Sequence, residues 1–293
     1  MKRSLILVSA ALLPISFGRT QMPLAAQPQG GRGAAQGGRG GAPPAGIRKH
    51  ILVFGMTKGF HHDSVSNGMA SVSKMGRDTG AWDSEISTDP AIIRAAEKPV
   101  GEFTPLNLAN FDAIVLASTT GEIPLEDQQK KDLLAFVHDE GKGLVAIHAA
   151  LDSNYKSPEY VEMIGGWFDG HPWNTFRAPV IMEDSTFSAT RHFAKSFRIR
   201  DEIYQPKQWS RDKVNVLMRH DESKLDLTRQ HLREDHDWAI AWSKLYGKGR
   251  VFYSTLGHTN EAWDDPDVIK MYSEAIKWVL GRTDGSVAPH PHS

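Results

Sequence analysis

Three short apolar runs constrain this chain more than any other feature. Ile51 to Gly55, Ala113 to Leu116 and Leu144 to Ile147 carry almost no polar residue, and each stops abruptly at a turn-forming or polar stretch. Runs this short, without polar alternation, read as strands buried on both faces, as in a parallel sheet. Helical signals fall between them. Asp63 or Ser64 can cap a helix running to about Arg77, Glu85 to Ser87 is a short strand candidate, and Thr88-Asp89-Pro90 can open a helix over Ala91 to Glu97. Pro124 to Glu140 places Leu133, Leu134, Phe136 and Val137 near one helical face, and Gly141 ends it. This strand–helix rhythm predicts an α/β fold built on βαβ units.

The second half is less regular. Pro158 to Ile164 reads as a short helix broken by Gly165-Gly166. Ala178 to Glu183 and Val214 to Arg219 read as strands, and His220 to Asp237 as a polar surface loop. Ala239 to Ser243 and Arg250 to Thr255 form an antiparallel hairpin around Tyr246-Gly247-Lys248-Gly249. Asp265-Pro266 opens a last helix with Ile269, Tyr272, Ile276 and Val279 inward.

Lys2 and Arg3, an apolar stretch to about Phe17 and small residues through Ala26 have the order of a secretory signal peptide, so a periplasmic or secreted location is expected. The stretch is short for a membrane span, although an uncleaved anchor is the alternative. Residues 27–47 are rich in Gly, Gln, Arg, Ala and Pro and read as a tether. The folded domain is expected over 48–283, with a disordered tail over 284–293 whose His290 and His292 are weak metal-binding candidates or simply solvated. A formal net charge of -1 gives no bias toward nucleic acid or an acidic membrane. The absence of cysteine excludes disulfides, a thiol nucleophile and thiolate metal sites. Glycine-rich nucleotide fingerprints are missing, so no nucleotide cofactor is expected.

His62, His148, His171 and His258 each sit in a loop or at a strand end beside small or turn-forming residues. Imidazole moves protons near neutral pH or ligates a metal, but a lone histidine is commonly a hydrogen-bonded structural residue. Ligands of open α/β sheets bind beyond the carboxyl ends of the strands, where His148 follows its apolar run. Asp201-Glu202-Ile203-Tyr204 offers carboxylates and a phenol for sugar hydroxyls, a cation or acid–base work; a salt-bridged edge strand is the alternative. Trp167 and Trp238 lie near these loops and could stack on sugars or fill the core.

Taken together, Lys58 to Ser64, Gly143 to Ser153, Gly165 to Pro172, Asp201 to Tyr204 and Tyr246 to Thr259 resemble the trehalose-utilisation (ThuA-like) family over about residues 49 to 282. The resemblance implies a flavodoxin-like parallel sheet between helices, related to class I glutamine amidotransferases. Those enzymes carry a cysteine in the turn after a central strand; His148 and its neighbours occupy that turn here, so glutamine hydrolysis by that route is excluded. Where the family often has His-Pro-Ala-Thr, this chain has Phe187-Ser188-Ala189-Thr190. The resemblance further implies a hydrolase, lyase or isomerase acting on a glycoside or 3-keto-glycoside supplied by a partner sugar oxidoreductase. A non-catalytic carbohydrate-binding or accessory domain is the alternative, and a flavin-binding electron carrier on the same fold has no supporting residue. The expected catalytic residues are His148, His62 and Glu202. Substrate contacts are assigned to Asp152, Trp167, Asp201, Tyr204, Trp238 and Arg250, and a divalent metal, zinc first, to His148, His171 and His258.

Overall fold

The computed structural model describes residues 48–95 and 104–292, so the expected signal peptide and tether lie outside the described residues. Five parallel strands come first in the sheet: β2 (Trp82–Ser87), β1 (Lys49–Phe54), β3 (Ala113–Ala117), β4 (Gly143–Ile147) and β11 (Gly249–Ser254). With β11 as the fifth parallel strand, this is the flavodoxin-like order. Antiparallel strands continue the sheet through β10 (Ala239–Tyr246), β9 (Asn215–His220), β6 (Thr175–Met182) and β7 (Ser196–Glu202). A separate small pair joins β5 (Trp167–Phe168) to β8 (Pro206–Lys207).

Alternation along the strands builds two cores. Ile51, Val53, Val115, Val145, Ile147 and Phe252 pack with residues of α1 (Val65–Thr79) and α5 (Pro266–Val279). Leu52, Phe54, Ile114, Leu116, Leu144 and Tyr253 pack with α2 (Asp127–His138) and α3 (Pro158–Ile164) on the other face. Burial of each large side chain contributes about 1.5–3 kcal/mol. Asp265 caps α5 by accepting from the Asp267 and Val268 amides, at 2.9 and 3.3 Å.

Several expectations are corrected. Ser64 stands at the N-cap of α1 but makes no side-chain capping bond; its hydroxyl donates to the Gly257 carbonyl at 2.7 Å. The segment after Asp89 makes a short 3-10 turn, Pro90–Ile92, before residues 96–103, which lie outside the described ones. Polar alternation in Ser196–Glu202 hid an edge strand, so the antiparallel half is larger than one hairpin. His220 ends β9 and is 1% exposed, so the polar loop begins after it. The tail is docked through residue 290. The Ser286 carbonyl accepts from Asn215 and Ser243, and His290 Nε2 donates to the Val216 carbonyl at 2.9 Å. Phe187 is fully buried against Trp278.

Candidate active site at the carboxyl edge of the sheet

Four loops bring side chains to one edge. β1, β4, β11 and β7 run in the same direction, so their carboxyl ends share that edge. His148 follows β4 directly, with φ +46°, a left-handed conformation that costs a non-glycine residue energy. Two contacts from the β11 segment hold it: His148 Nδ1 donates to the Thr255 carbonyl at 2.6 Å, and the Tyr253 hydroxyl donates to the His148 carbonyl at 3.0 Å. His62 stands on the loop after β1. Thr120 pins that loop, accepting from the Gly59 amide at 3.1 Å and donating to the Phe60 carbonyl at 2.8 Å. His258 follows β11. Glu202 ends β7, four strands from β11, which at about 4.8 Å per step would lie about 19 Å away in a flat sheet. The sheet therefore curls, and the junction is tied: Asp201 accepts from the Gly257 and His258 amides at 2.6 and 3.1 Å, and the Tyr204 amide donates to Thr255 Oγ1 at 2.9 Å.

The result is a compact centre. His148 Nε2 lies 3.2 Å from His62 Nε2 and 3.2 Å from His258 Nδ1. Glu202 Oε2 lies 3.2 Å from His258 Nδ1 and 3.9 Å from His148 Nε2. The Tyr204 hydroxyl is 3.3 Å from His62 Nε2, and its ring centroid lies 4.2 Å from that of His148. Because a carbonyl can only accept, the bond to Thr255 puts the His148 proton on Nδ1 and leaves the Nε2 lone pair facing the centre. Burial holds the imidazoles neutral. It depresses the His62 pKa to about 4 and keeps His148 well below its ordinary value, with neighbouring imidazoles adding to the effect in both. His258 is also lowered, by burial and then by His171. Burial raises Glu202, opposed by His171.

Residues 50–279 match the family model for ThuA, trehalose utilisation. The chain belongs to that family. No curated protein matches it. Among solved structures it is similar to a ThuA-like protein from Bacteroides uniformis, at 18% identity and a TM-score of 0.63 over 83% of this chain and 95% of that one. A ThuA-like protein from Parabacteroides merdae gives 16% identity and 0.61 over 82% and 93%. A cytoplasmic protein from Salmonella typhimurium gives 14% and 0.52 over 78% and 98%. At these identities the likeness establishes a shared fold.

Within this ThuA domain, His62, His148, His258, Glu202 and Tyr204 converge as the sequence suggested, and His171 does so only in part. Its Nδ1 lies 3.5 Å from Glu202 Oε1 and 3.1 Å from Asn174 Oδ1, so of the three residues expected to hold a metal it alone stands at the rim of the centre. The donor atoms of His62, His148, Glu202 and His258 all lie within 4.8 Å of one another, and His171 is outside that group. Asp201 does not face the pocket. It is fully buried, and burial pushes its pKa up to about 7 against the amides that donate to it. Trp238 is 1% exposed and donates to Gln205 Oε1 at 3.3 Å, which makes it core. Arg250 lies at the start of β11, the opposite edge, donating to the Trp278 and Thr283 carbonyls. Asp152 accepts from the Tyr155 hydroxyl at 2.6 Å, and Trp167 packs against Tyr155. The sequence reading missed Phe60, 66% exposed with its ring 4.8 Å from that of His62. A large aromatic beside a glycine in a histidine-bearing loop was the available signal.

Proposed function

We propose that this ThuA protein is an exported enzyme acting on a 3-keto-glycoside by acid–base chemistry at the sheet edge. The observation that carries the reading is the meeting of three neutral imidazoles with Glu202, with a fifth ionisable group, His171, 3.5 Å from the same carboxylate. A carbonyl at C3 of a sugar acidifies the hydrogen on C2. Removing that proton gives an enediolate, which either regains a proton elsewhere or expels the oxygen on C1. In the second case the C2–H and C1–O bonds break, a C1=C2 bond forms, and a proton goes to the departing oxygen. The donors at the centre, a ring N–H of His62 or His258 and the Tyr204 hydroxyl, face the oxygen that gathers charge, while the His148 lone pair accepts from one of them. His171 carries the proton: Asn174 Oδ1 at 3.1 Å and Glu202 Oε1 at 3.5 Å both face its Nδ1, which leaves Nε2 to accept. An oxidoreductase that installs the ketone is the implied partner, and the family description supports a sugar substrate.

The test is turnover of a panel of 3-keto-disaccharides by the full mature chain. We expect consumption of at least one, and a fall in kcat of about 100-fold or more in Glu202→Gln. Saturable binding with no product across the panel would instead make this an accessory carbohydrate-binding domain.

A further inference from the structure

We infer that His62, His148, His258 and Glu202 form a mononuclear site for a divalent first-row transition ion, with zinc as the reference case. The spacing supplies the first argument. Donors bonded to one ion at 2.0–2.1 Å are about 2.9 Å apart at a right angle and about 3.3 Å apart at the tetrahedral angle. Three of the donor pairs here are 3.2 Å apart and a fourth is 3.9 Å, within the spread of four- to six-coordinate arrangements.

Proton bookkeeping supplies the second. His148 Nε2 has one lone pair, yet His62 Nε2 and His258 Nδ1 both approach it at 3.2 Å, and only one can be its hydrogen-bond donor. A cation at the common point satisfies all three nitrogens and the carboxylate together. The donors are also supported from behind. His148 donates its other ring proton to a backbone carbonyl, the partner that metal-bound imidazoles typically have. Asp201 grips the His258 amide, and His171 faces the second oxygen of Glu202. Imidazole nitrogens with one carboxylate suit zinc and its neighbours in the row rather than magnesium or calcium.

A cleft lined by Phe60, His61, His62, Asp63, His258 and Thr259 leads to the cluster. Entry of a keto oxygen as a further ligand rests on the proposed sugar chemistry. Binding of the ion does not, and the test reads the ion alone.

Elemental analysis of the full mature chain, followed by calorimetric titration of the chelator-stripped protein with zinc, manganese and ferrous ions, decides the matter. We expect about one ion per chain, a rise in melting temperature on loading, and a loss of affinity of more than about 100-fold in His148→Ala and in the near-isosteric Glu202→Gln. His171→Ala should keep the stoichiometry. The inference is overturned if stripped wild-type protein binds none of the three ions, or if folded Glu202→Gln and His258→Ala bind as wild type does. A loaded protein that leaves keto-sugars untouched would refute the proposed reaction and leave the metal site standing.

Discussion

His148 answers to its neighbours at every atom that matters. Its left-handed backbone, its ring tautomer and the direction of its lone pair are all set from the β11 segment, through Thr255 and Tyr253. A second buried histidine, His220, behaves differently. It donates Nδ1 to the Pro179 carbonyl at 3.2 Å, and burial depresses its pKa to about 4. Its folded value lies below the unfolded one, so the unfolded chain takes up the proton first and stability falls as pH drops from about 6.5 toward 4. Between about pH 7.5 and 5.5 this one residue accounts for about 1 kcal/mol. Asp201, pushed up to about 7, works in the opposite direction over the same range, so the clean reading is a comparison. Denaturant melts at the two pH values should show a shallower acid loss in His220→Gln than in wild type. An equal slope would mean that His220 titrates alike in the folded and unfolded states, and a steeper loss in His220→Gln would mean that the folded protein holds the proton.

At the scale of elements, the antiparallel half is secured by a buried ion network. Arg211 Nη1 lies 2.6 Å from Glu183 and its Nη2 2.6 Å from Asp237, while Arg219 Nε lies 2.9 Å from Glu183, whose side chain is fully buried. Glu183→Ala leaves two guanidinium groups facing a cavity and should cost about 3–5 kcal/mol in urea unfolding; a loss below about 1 kcal/mol would show that water takes its place. The junction at Gly257 carries a similar load. Its φ of +124° is one that side chains rarely adopt, and a Cβ there would sit 3.2 Å from Ile147 Cγ2. Gly257→Ala should therefore displace His258, lowering metal affinity more than it lowers the melting temperature. Much of this was legible beforehand where the signal is local. The run Leu144 to Ile147 names its own strand, and His148 its end. Glu202 was marked by its Asp201-Glu202-Ile203-Tyr204 stretch, but the curl of the sheet that brings it to the histidines is a long-range event that the local sequence does not show. Gly170-His171-Pro172 looks like the other histidine loops, yet Asn174 draws its ring to the rim. Arg250 shares a motif stretch with His258 but sits at the other end of the strand.

For the whole molecule, the fold gathers the histidine–carboxylate cluster at one edge and packs the rest around two cores. The expected signal peptide and tether fall before the described domain. Export predicts that intact-mass measurement of mature protein finds an N-terminus between about Gln21 and Gly31; a soluble protein retaining Met1 would contradict it. A chain starting at Ile47 should melt within a few degrees of the mature protein, since residues 27–46 hold almost nothing able to join a core. In the proposed reaction the imidazole–Glu202 centre draws a proton from the carbon beside a sugar ketone. Proton NMR of a 3-keto-disaccharide in deuterium oxide tests it most directly. Wild-type protein should abolish the C2 proton signal, through exchange or elimination, and the rate should be lower by about 100-fold or more in His148→Ala and Glu202→Gln. An unchanged C2 signal with wild type, or wild-type rates in folded His148→Ala, would contradict it.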